Sequence, residues 1–508
     1  RAEASGSGDR VPDRILLLAQ SRLEQLDSDA RRVLRAASVF GQRFWVGGVQ
    51  ELIGPDGLVR GLDAVLRLLL EEEILGERST SRFPGQREFE FRSGLVRDAA
   101  YAALTDADRC RGHRLAAAWL EQSGESEALP LATHYARGGQ PERAVPHYRR
   151  AALQALSGND LGAAIERAGL GLGAGATNAE AAALRLIQAE ASKWQGNNAE
   201  AKRYALGALE HIPEHAPEWS LAAAEAAVAA GKLGELAECV ALSERLLEVE
   251  SDEDNERELT IALSRVATQL VLSGAAELAA EMLARAARVS DELHPDPGML
   301  GWLLEARAVL AGASDDPVGR MDLAEQAANR FEEAGDLRNA CLQRVSLGFA
   351  QVEFGAFAEA ERWLREALTV AERMALCNTV PIAQAQLGRA VAQRGNPEEA
   401  LRLEGQAVGA FDRQGNLRLA GMARAYLAQA HLALGQLEAA ESAARRAVEI
   451  LENALPMKRS ALAVLALVHV AQGRAAEALE AAARANAGLG GEQHLPVGEC
   501  LVRRSLAE

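Results

Sequence analysis

The sequence predicts an all-α chain in two parts: a small N-terminal helical domain carrying a β wing, then a long superhelical solenoid of helix pairs. Three observations carry that prediction. Gly355, Gly395 and Gly435 recur at a fixed interval of 40 residues and share one template, L-[G/A]-x6-G-x4-A-x6-A, with Ala360, Ala400 and Ala440 and then Ala367, Ala407 and Ala447 in register. Self-similarity at such a period marks stacked supersecondary units. Hydrophobic residues make up 48% of the 508-residue chain but aromatics only 4%, so its layers must be filled by Ala and Leu rather than by large rings. Residues before about 128 have a different texture, with short helical stretches followed by two β-like ones.

In chain order, residues 1–10 read as a linker. Helical periodicity then covers 15–26, 28–40, 46–52 and 58–70, with Asp27 or Ser28 as the N-cap of the second stretch. Two β-like stretches follow, 74–79 and 88–92. The second alternates Phe89-Glu90-Phe91, and Phe83-Pro84-Gly85 lies between them, so a hairpin is expected. Helices resume at 95–104 and 106–121. Short helices followed by a two-stranded wing describe a winged-helix domain, over 11–128.

From 129 to 508 the pattern is of helical hairpins alone. Gly139, Ala144, Tyr148 and Ala151 match the second half of a tetratricopeptide unit, as do Gly196, Ala201, Ala208 and Pro213. Loop glycines are then expected at Gly231, Gly274, Gly312, Gly355, Gly395, Gly435 and Gly473, with Asp315-Asp316-Pro317 interrupting the least regular unit. HEAT repeats share this length, but small residues at fixed offsets favour a tetratricopeptide-repeat superhelix. The last stretch, 498–506, reads as the first helix of another pair, so the chain reads as a fragment of a larger polypeptide.

The balance of 55 basic against 72 acidic residues gives a net charge of −17 and no basic patch, which argues against nucleic-acid binding. Five scattered cysteines without a C-x-x-C fit a reduced, cytoplasmic setting. The longest apolar runs, 62–70 and 461–471, are too short to span a bilayer, and no membrane partner is expected.

Two segments carry a resemblance. Residues 89–101, Phe-Glu-Phe-Arg-Ser-Gly-Leu-Val-Arg-Asp-Ala-Ala-Tyr, followed by Arg111-Gly112-His113-Arg114, look like the F-x-F-R-H-x-L-x-R-x-x-A-Y segment and its H-R pair in bacterial STAND-type ATPases. Residues 34–45, Leu-Arg-Ala-Ala-Ser-Val-Phe-Gly-Gln-Arg-Phe-Trp, resemble a stretch near the start of the winged helix in the same family. The order of winged helix then tetratricopeptide array is also that family's. The likeness is nearest to large proteins, seen especially in myxobacteria, in which a Ser/Thr protein kinase domain precedes the ATPase and this tail. The resemblance implies ATP and Mg in the parent, upstream of this segment, and no cofactor or enzyme activity within it. It also singles out Ser93, which stands where the family usually places a nucleotide-sensing His. A hydroxyl can donate one hydrogen bond to a phosphate but cannot carry an imidazolium's charge.

Other constellations have plain structural readings. No G-x-x-x-x-G-K-[ST] occurs, so a phosphate loop would lie before Arg1. Gly169, Gly171, Gly173 and Gly175 lack the spacing and strand context of a dinucleotide site. His211 and His215 are separated by Pro213, which breaks the helical geometry a metal pair needs. Asp252, Asp254 and Glu256 begin like a calcium loop, but Arg257 and Leu263 occupy its Gly and Glu positions. No catalytic or metal site is expected.

The inner surface of the array is the better candidate. Counting back from each loop glycine puts Val345, Phe349 and Val352, then Ala385, Arg389 and Ala392, then Ala425, Gln429 and Leu432 on the groove. Phe349 as apolar anchor and Arg389 as charge partner suit a protein or peptide ligand. The expected function is a sensor and protein-interaction segment of a STAND-type signalling ATPase, with the upstream ATPase core as a second partner. The alternatives are a non-switching tetratricopeptide scaffold and the effector arm of a transcriptional activator.

Overall fold

In the computed structural model the described residues are 22–54, 61–214, 216–252, 254–291, 296–314, 316–452, 455–487 and Ser505. The expected linker, most of the helix at 15–26, and the helix expected at 498–506, apart from Ser505, lie outside them. By contacts the chain divides into two compact units, residues 1–154 with 166–176, and residues 155–165 with 177–508.

The first unit opens with α1 (Ser28–Phe40), where the Asp27 carboxylate accepts the Ala30 amide at 2.7 Å and satisfies a donor that the helix itself leaves free. Then follow β1 (Arg43–Trp45), α2 (Val46–Ile53), α3 (Leu62–Glu71), β2 (Leu75–Glu77), β3 (Glu88–Phe91), α4 (Gly94–Ala102) and α5 (Asp106–Gln122). The expected hairpin is present, but the sheet has a third strand. β3 is central, pairing antiparallel with β2 on one side and with β1 on the other, Phe44 opposite Phe89. Three residues between helices give too little alternation to read as a strand; the partner 45 positions further on makes it one.

The Phe44 ring centroid lies 5.9 Å from that of Phe89 and 5.6 Å from that of Phe91, in a core with Val33, Leu34, Leu66 and Leu69. Trp45, Phe83 and Trp119 form a second aromatic group. Between strands, the buried Glu88 carboxylate accepts from the Trp45 indole (3.1 Å) and the Arg82 amide (2.8 Å) and faces Arg78 at 3.3 Å, so the charge is fully bonded.

The second unit is a tetratricopeptide-like solenoid of helix pairs, 217–233 with 236–248, 337–354 with 357–373, 417–433 with 437–450 and their equivalents. The two helices of a pair bury different amounts of themselves. Phe357–Arg373 buries Ala360, Leu364, Ala367 and Ala371, one stripe at helical spacing. Pro217–Leu233 buries residues all round, seven of them alanines, because it lies between neighbours. The template glycines end helices: Gly355, Gly395 and Gly435 have φ of 88°, 86° and 68°, where a Cβ is disfavoured.

Two expected loop glycines are not in loops. Gly231 lies inside Pro217–Leu233, which ends at Gly234, and Gly312 lies inside Pro297–Ala313. Each is needed for close approach instead: a Cβ on Gly231 would stand 2.6 Å from the Gln269 side chain, and one on Gly312 2.7 Å from the Arg320 guanidinium. The interrupting Asp316 is an N-cap, accepting the Gly319 amide at 2.8 Å.

Early and late segments of this unit touch. Arg338 Nε donates to Asn159 Oδ1 at 3.1 Å and its guanidinium also reaches the Leu156 carbonyl, while Asn159 donates to the Met374 carbonyl. Asn198 Nδ2 donates to the Gln414 carbonyl at 3.0 Å across 216 positions. The stack therefore closes on itself between residues 156 and 417. No described helix is long and apolar enough to cross a membrane.

Candidate functional site

Inside the stack lies a partly open cavity of about 260 Å³. Its wall comes mainly from the first helices of successive pairs, and is largely apolar, including Trp302, Val309, Leu342, Phe349, Ile382 and Met422. Long charged side chains reach into it from several turns. The first helices are rich in alanine, which leaves room beside them for such chains to lie within the stack.

One charge cluster centres on Glu225. Arg265 pairs with it, and Lys193 lies 3.8 Å away. Burial would push this carboxyl up, but Lys193 and Arg265 hold it down at about 2. Burial lowers the neighbouring Lys232 to about 8 and raises Glu305 to about 7, the latter against opposition from Gln343 and Arg265.

The other cluster centres on Arg389. Its guanidinium pairs with Glu353, donates to Gln386 at 3.1 Å and stands over the rings of Tyr426 (4.6 Å) and Phe349 (5.5 Å). Burial opposes this charge, yet Tyr426 and Glu353 raise its affinity for the proton. Arg320 also lies over the Phe349 ring, its guanidinium 4.1 Å from the centroid, and burial lowers it to about 10. Arg418 is lowered by burial to about 10, and its Nε has no acceptor. Glu404 is buried against Gly388 with neither oxygen bonded, and burial pushes it well above the usual carboxylate range, so it is held as the neutral acid.

The expected groove positions distribute as follows. Val345, Phe349 and Ala385 line the cavity, and Arg389 sits beside them. Val352 packs in the core between helices, with Ala392 against the same core, and Leu432 packs against another. Ala425 is buried in that second core, and Gln429 is half-buried and does not line the cavity. The same register extends three repeats further toward the N-terminus. Stepping back from Val345 by the same 40 residues lands on Glu305, Arg265 and Glu225, and from Val352 by three steps on Lys232. That register is the signal that finds the charged half of the site.

In the first unit Ser93 precedes α4, half-buried, and its hydroxyl caps no backbone amide. His113 is buried, with Nε2 2.7 Å from the Tyr101 hydroxyl and Nδ1 2.9 Å from Nδ1 of His134. Burial, with Arg137 nearby, lowers these rings to about 4 and about 3, so both are neutral and one must donate to the other.

The remaining candidates are structural. Asp252 accepts the Asp254 and Asn255 amides at 3.0 Å, forming a turn that leads into Glu256–Ser273, and Gly169, Gly171 and Gly173 lie within Leu161–Gly173. His215 lies outside the described residues, among which no cluster of three or more His, Cys, Asp or Glu side chains forms a metal-binding group.

No protein-family model matches the chain, and no curated protein matches it. Among solved structures the chain is similar to a Rap protein complexed with competence and sporulation factor, at 14% identity over 53% of this chain and 76% of that one, with a TM-score of 0.44. It is similar to a signal transduction ATPase with numerous domains (STAND) with a tetratricopeptide repeat sensor from Pyrococcus horikoshii, at 15% identity over 96% and 66%, with a TM-score of 0.39. A third similar structure is the apo form of RapI, at 12% identity over 53% and 75%, with a TM-score of 0.35. The chain thus spans just under two thirds of the length of the Pyrococcus protein.

Proposed function

We propose that this chain is the sensor and regulatory segment of a STAND-type signalling ATPase, with the array as a ligand receptor and residues 11–128 as a winged helix coupled to the ATPase core. The observation that carries the reading is the closed array, whose interior is a cavity walled by apolar side chains and buried charges rather than an open scaffold face. The element order α1-β1-α2-α3-β2-β3, with β3 central, supports the winged-helix assignment. So does the convergence of the family-like motif residues: Phe89 and Phe91 pack on Phe44, and Tyr101 bonds His113.

In this reading a protein segment or peptide enters the array, and its differential affinity for two arrangements of the winged helix against the ATPase core sets the output. Ser93 would contribute one hydroxyl donor toward a nucleotide phosphate in that core. A Ser/Thr protein kinase domain ahead of the ATPase belongs to the same proposal, as does a cytoplasmic setting.

The test is to fill the cavity. Leu342→Trp places an indole in the space the ligand would take. In the full-length parent this variant is expected to abolish the response of nucleotide turnover to peptide extracts that stimulate the unmodified protein. Turnover that responds equally in both would overturn the sensor reading and leave a scaffold.

A further inference from the structure

The array holds more positive charge than its own carboxylates compensate. Six cations belong to the interior, Lys193, Lys232, Arg265, Arg320, Arg389 and Arg418, and four carboxyl groups lie among them, Glu225, Glu305, Glu353 and Glu404, with Glu190 also acting on Arg265. Glu225 is taken by Lys193 and Arg265, and Glu353 by Arg389. Glu404 is held neutral by burial. Glu305 has one oxygen without any hydrogen-bond partner.

Three cations are compensated only from a distance: Lys232 by Glu225 and Glu305, Arg320 by Glu353, and Arg418 by no carboxylate. Among the described residues no carboxylate comes within ion-pair distance of Lys232, Arg320 or Arg418, and all three line the cavity. Arg320 lies on the Phe349 ring and Arg418 leaves its Nε unbonded in the interior. A buried charge without a counter-ion is strongly unfavourable unless something of opposite sign completes it. The three residues come from three separate helices, Pro217–Leu233, Pro317–Glu333 and Leu417–Ala433, so no local helical requirement places all three on the cavity wall. What they share is the cavity, whose remaining wall is largely apolar but also carries Lys193, Arg265 and Glu305.

We propose that the cavity binds an amphipathic organic anion, its charged group held by Lys232, Arg320 and Arg418 and its apolar body lying against Trp302, Phe349 and Ile382. The proposal rests on the reading of the cavity as the ligand site and specifies the chemistry of what fills it. The charged group is a carboxylate or a phosphate on an apolar carrier. A bare inorganic anion leaves the apolar wall empty, and a cationic ligand meets three like charges.

The test uses the whole chain and two dyes of nearly the same shape, anionic 1-anilinonaphthalene-8-sulfonate and neutral N-phenyl-1-naphthylamine. Binding is read by energy transfer from tryptophan, with Trp194 and Trp302 in the cavity wall. The anionic dye is expected to saturate at one site per chain and to bind about tenfold or more tighter than the neutral one. Arg320→Met and Arg418→Met should each weaken the anionic dye by about tenfold and leave the neutral dye within about twofold. Arg418→Lys keeps the charge and should retain most of the affinity, which separates lost charge from lost folding. Displacement by the tripeptide Leu-Phe-Leu as free acid but not as amide identifies a peptide carboxylate as the source. Displacement by octyl phosphate alone identifies a phosphate. Equal binding of the two dyes, with both Met variants unchanged, overturns the anion proposal while leaving the cavity as a ligand site. Absence of saturable binding by either dye overturns both.

Discussion

The two compact units solve the same problem, burying enough surface to stay folded, with opposite materials. The first concentrates aromatic rings around its small sheet and bonds the carboxylate it buries there, as Glu88 shows with two hydrogen bonds and an arginine. The second packs alanines between helices and lets arginine, lysine and glutamate fill the space behind them. Large rings lock one geometry, whereas small residues bring backbones close and leave an interior whose chemistry is set by long side chains. The difference teaches where each unit is committed: the first to its own shape, the second to something that enters it.

The sharpest way to break the comparison is to remove a ring. Phe44→Ala takes out a fully buried phenyl between Phe89 and Phe91 and should cost about 3 to 5 kcal/mol, seen as an early urea transition in the fluorescence of Trp45 and Trp119. The array's own transition should stay in place. A single shifted transition would show that the units do not melt separately.

Acid separates the units by a different route. In the unfolded chain His113 and His134 take up protons near 6.5, but folded they resist until about 4 and about 3. Below 6.5 the unfolded state binds protons the folded state cannot, so stability present at neutral pH is lost as pH falls toward that range. Between pH 7 and 5 the expected loss is about 2 kcal/mol for each ring, confined to the first unit. Replacing both rings, as His113→Gln with His134→Gln, should flatten that pH dependence; an unchanged slope would assign it elsewhere.

The smallest of the three effects belongs to the array. Glu225→Gln leaves Lys193 and Arg265 without their shared carboxylate and should destabilise the second unit by about 3 kcal/mol. Added salt would not restore it, because the pair is buried. A loss below 1 kcal/mol would mean that water already reaches these charges.

Much of this was legible because it depends on neighbours along the chain. The αL helix ends at Gly355, Gly395 and Gly435 are local demands, and so is the N-cap at Asp27. The strand Arg43–Trp45 was not, since three residues become a strand only when a distant partner pairs with them. Gly231 and Gly312 were misplaced for the same reason: a glycine kept for close packing and one kept for a turn look alike in sequence. The charged interior was hidden because a lysine or glutamate on a helix ordinarily faces water, and only closure of the stack turns that face inward. Phe349 and Arg389 were recognisable as groove positions, while Arg320 and Arg418 come from outside the counted register.

The bonds that tie Asn159 and Arg338, and Asn198 and Gln414, alter what kind of object the array is. An open stack frays from its ends and behaves as a spring whose coils yield one at a time. A hoop has no ends within its circumference, so between residues 156 and 417 no coil can loosen without straining all the others. Pulling on it should give one abrupt force peak instead of a staircase, and the clasp must be the last seam to form, after some two hundred residues have already found their places.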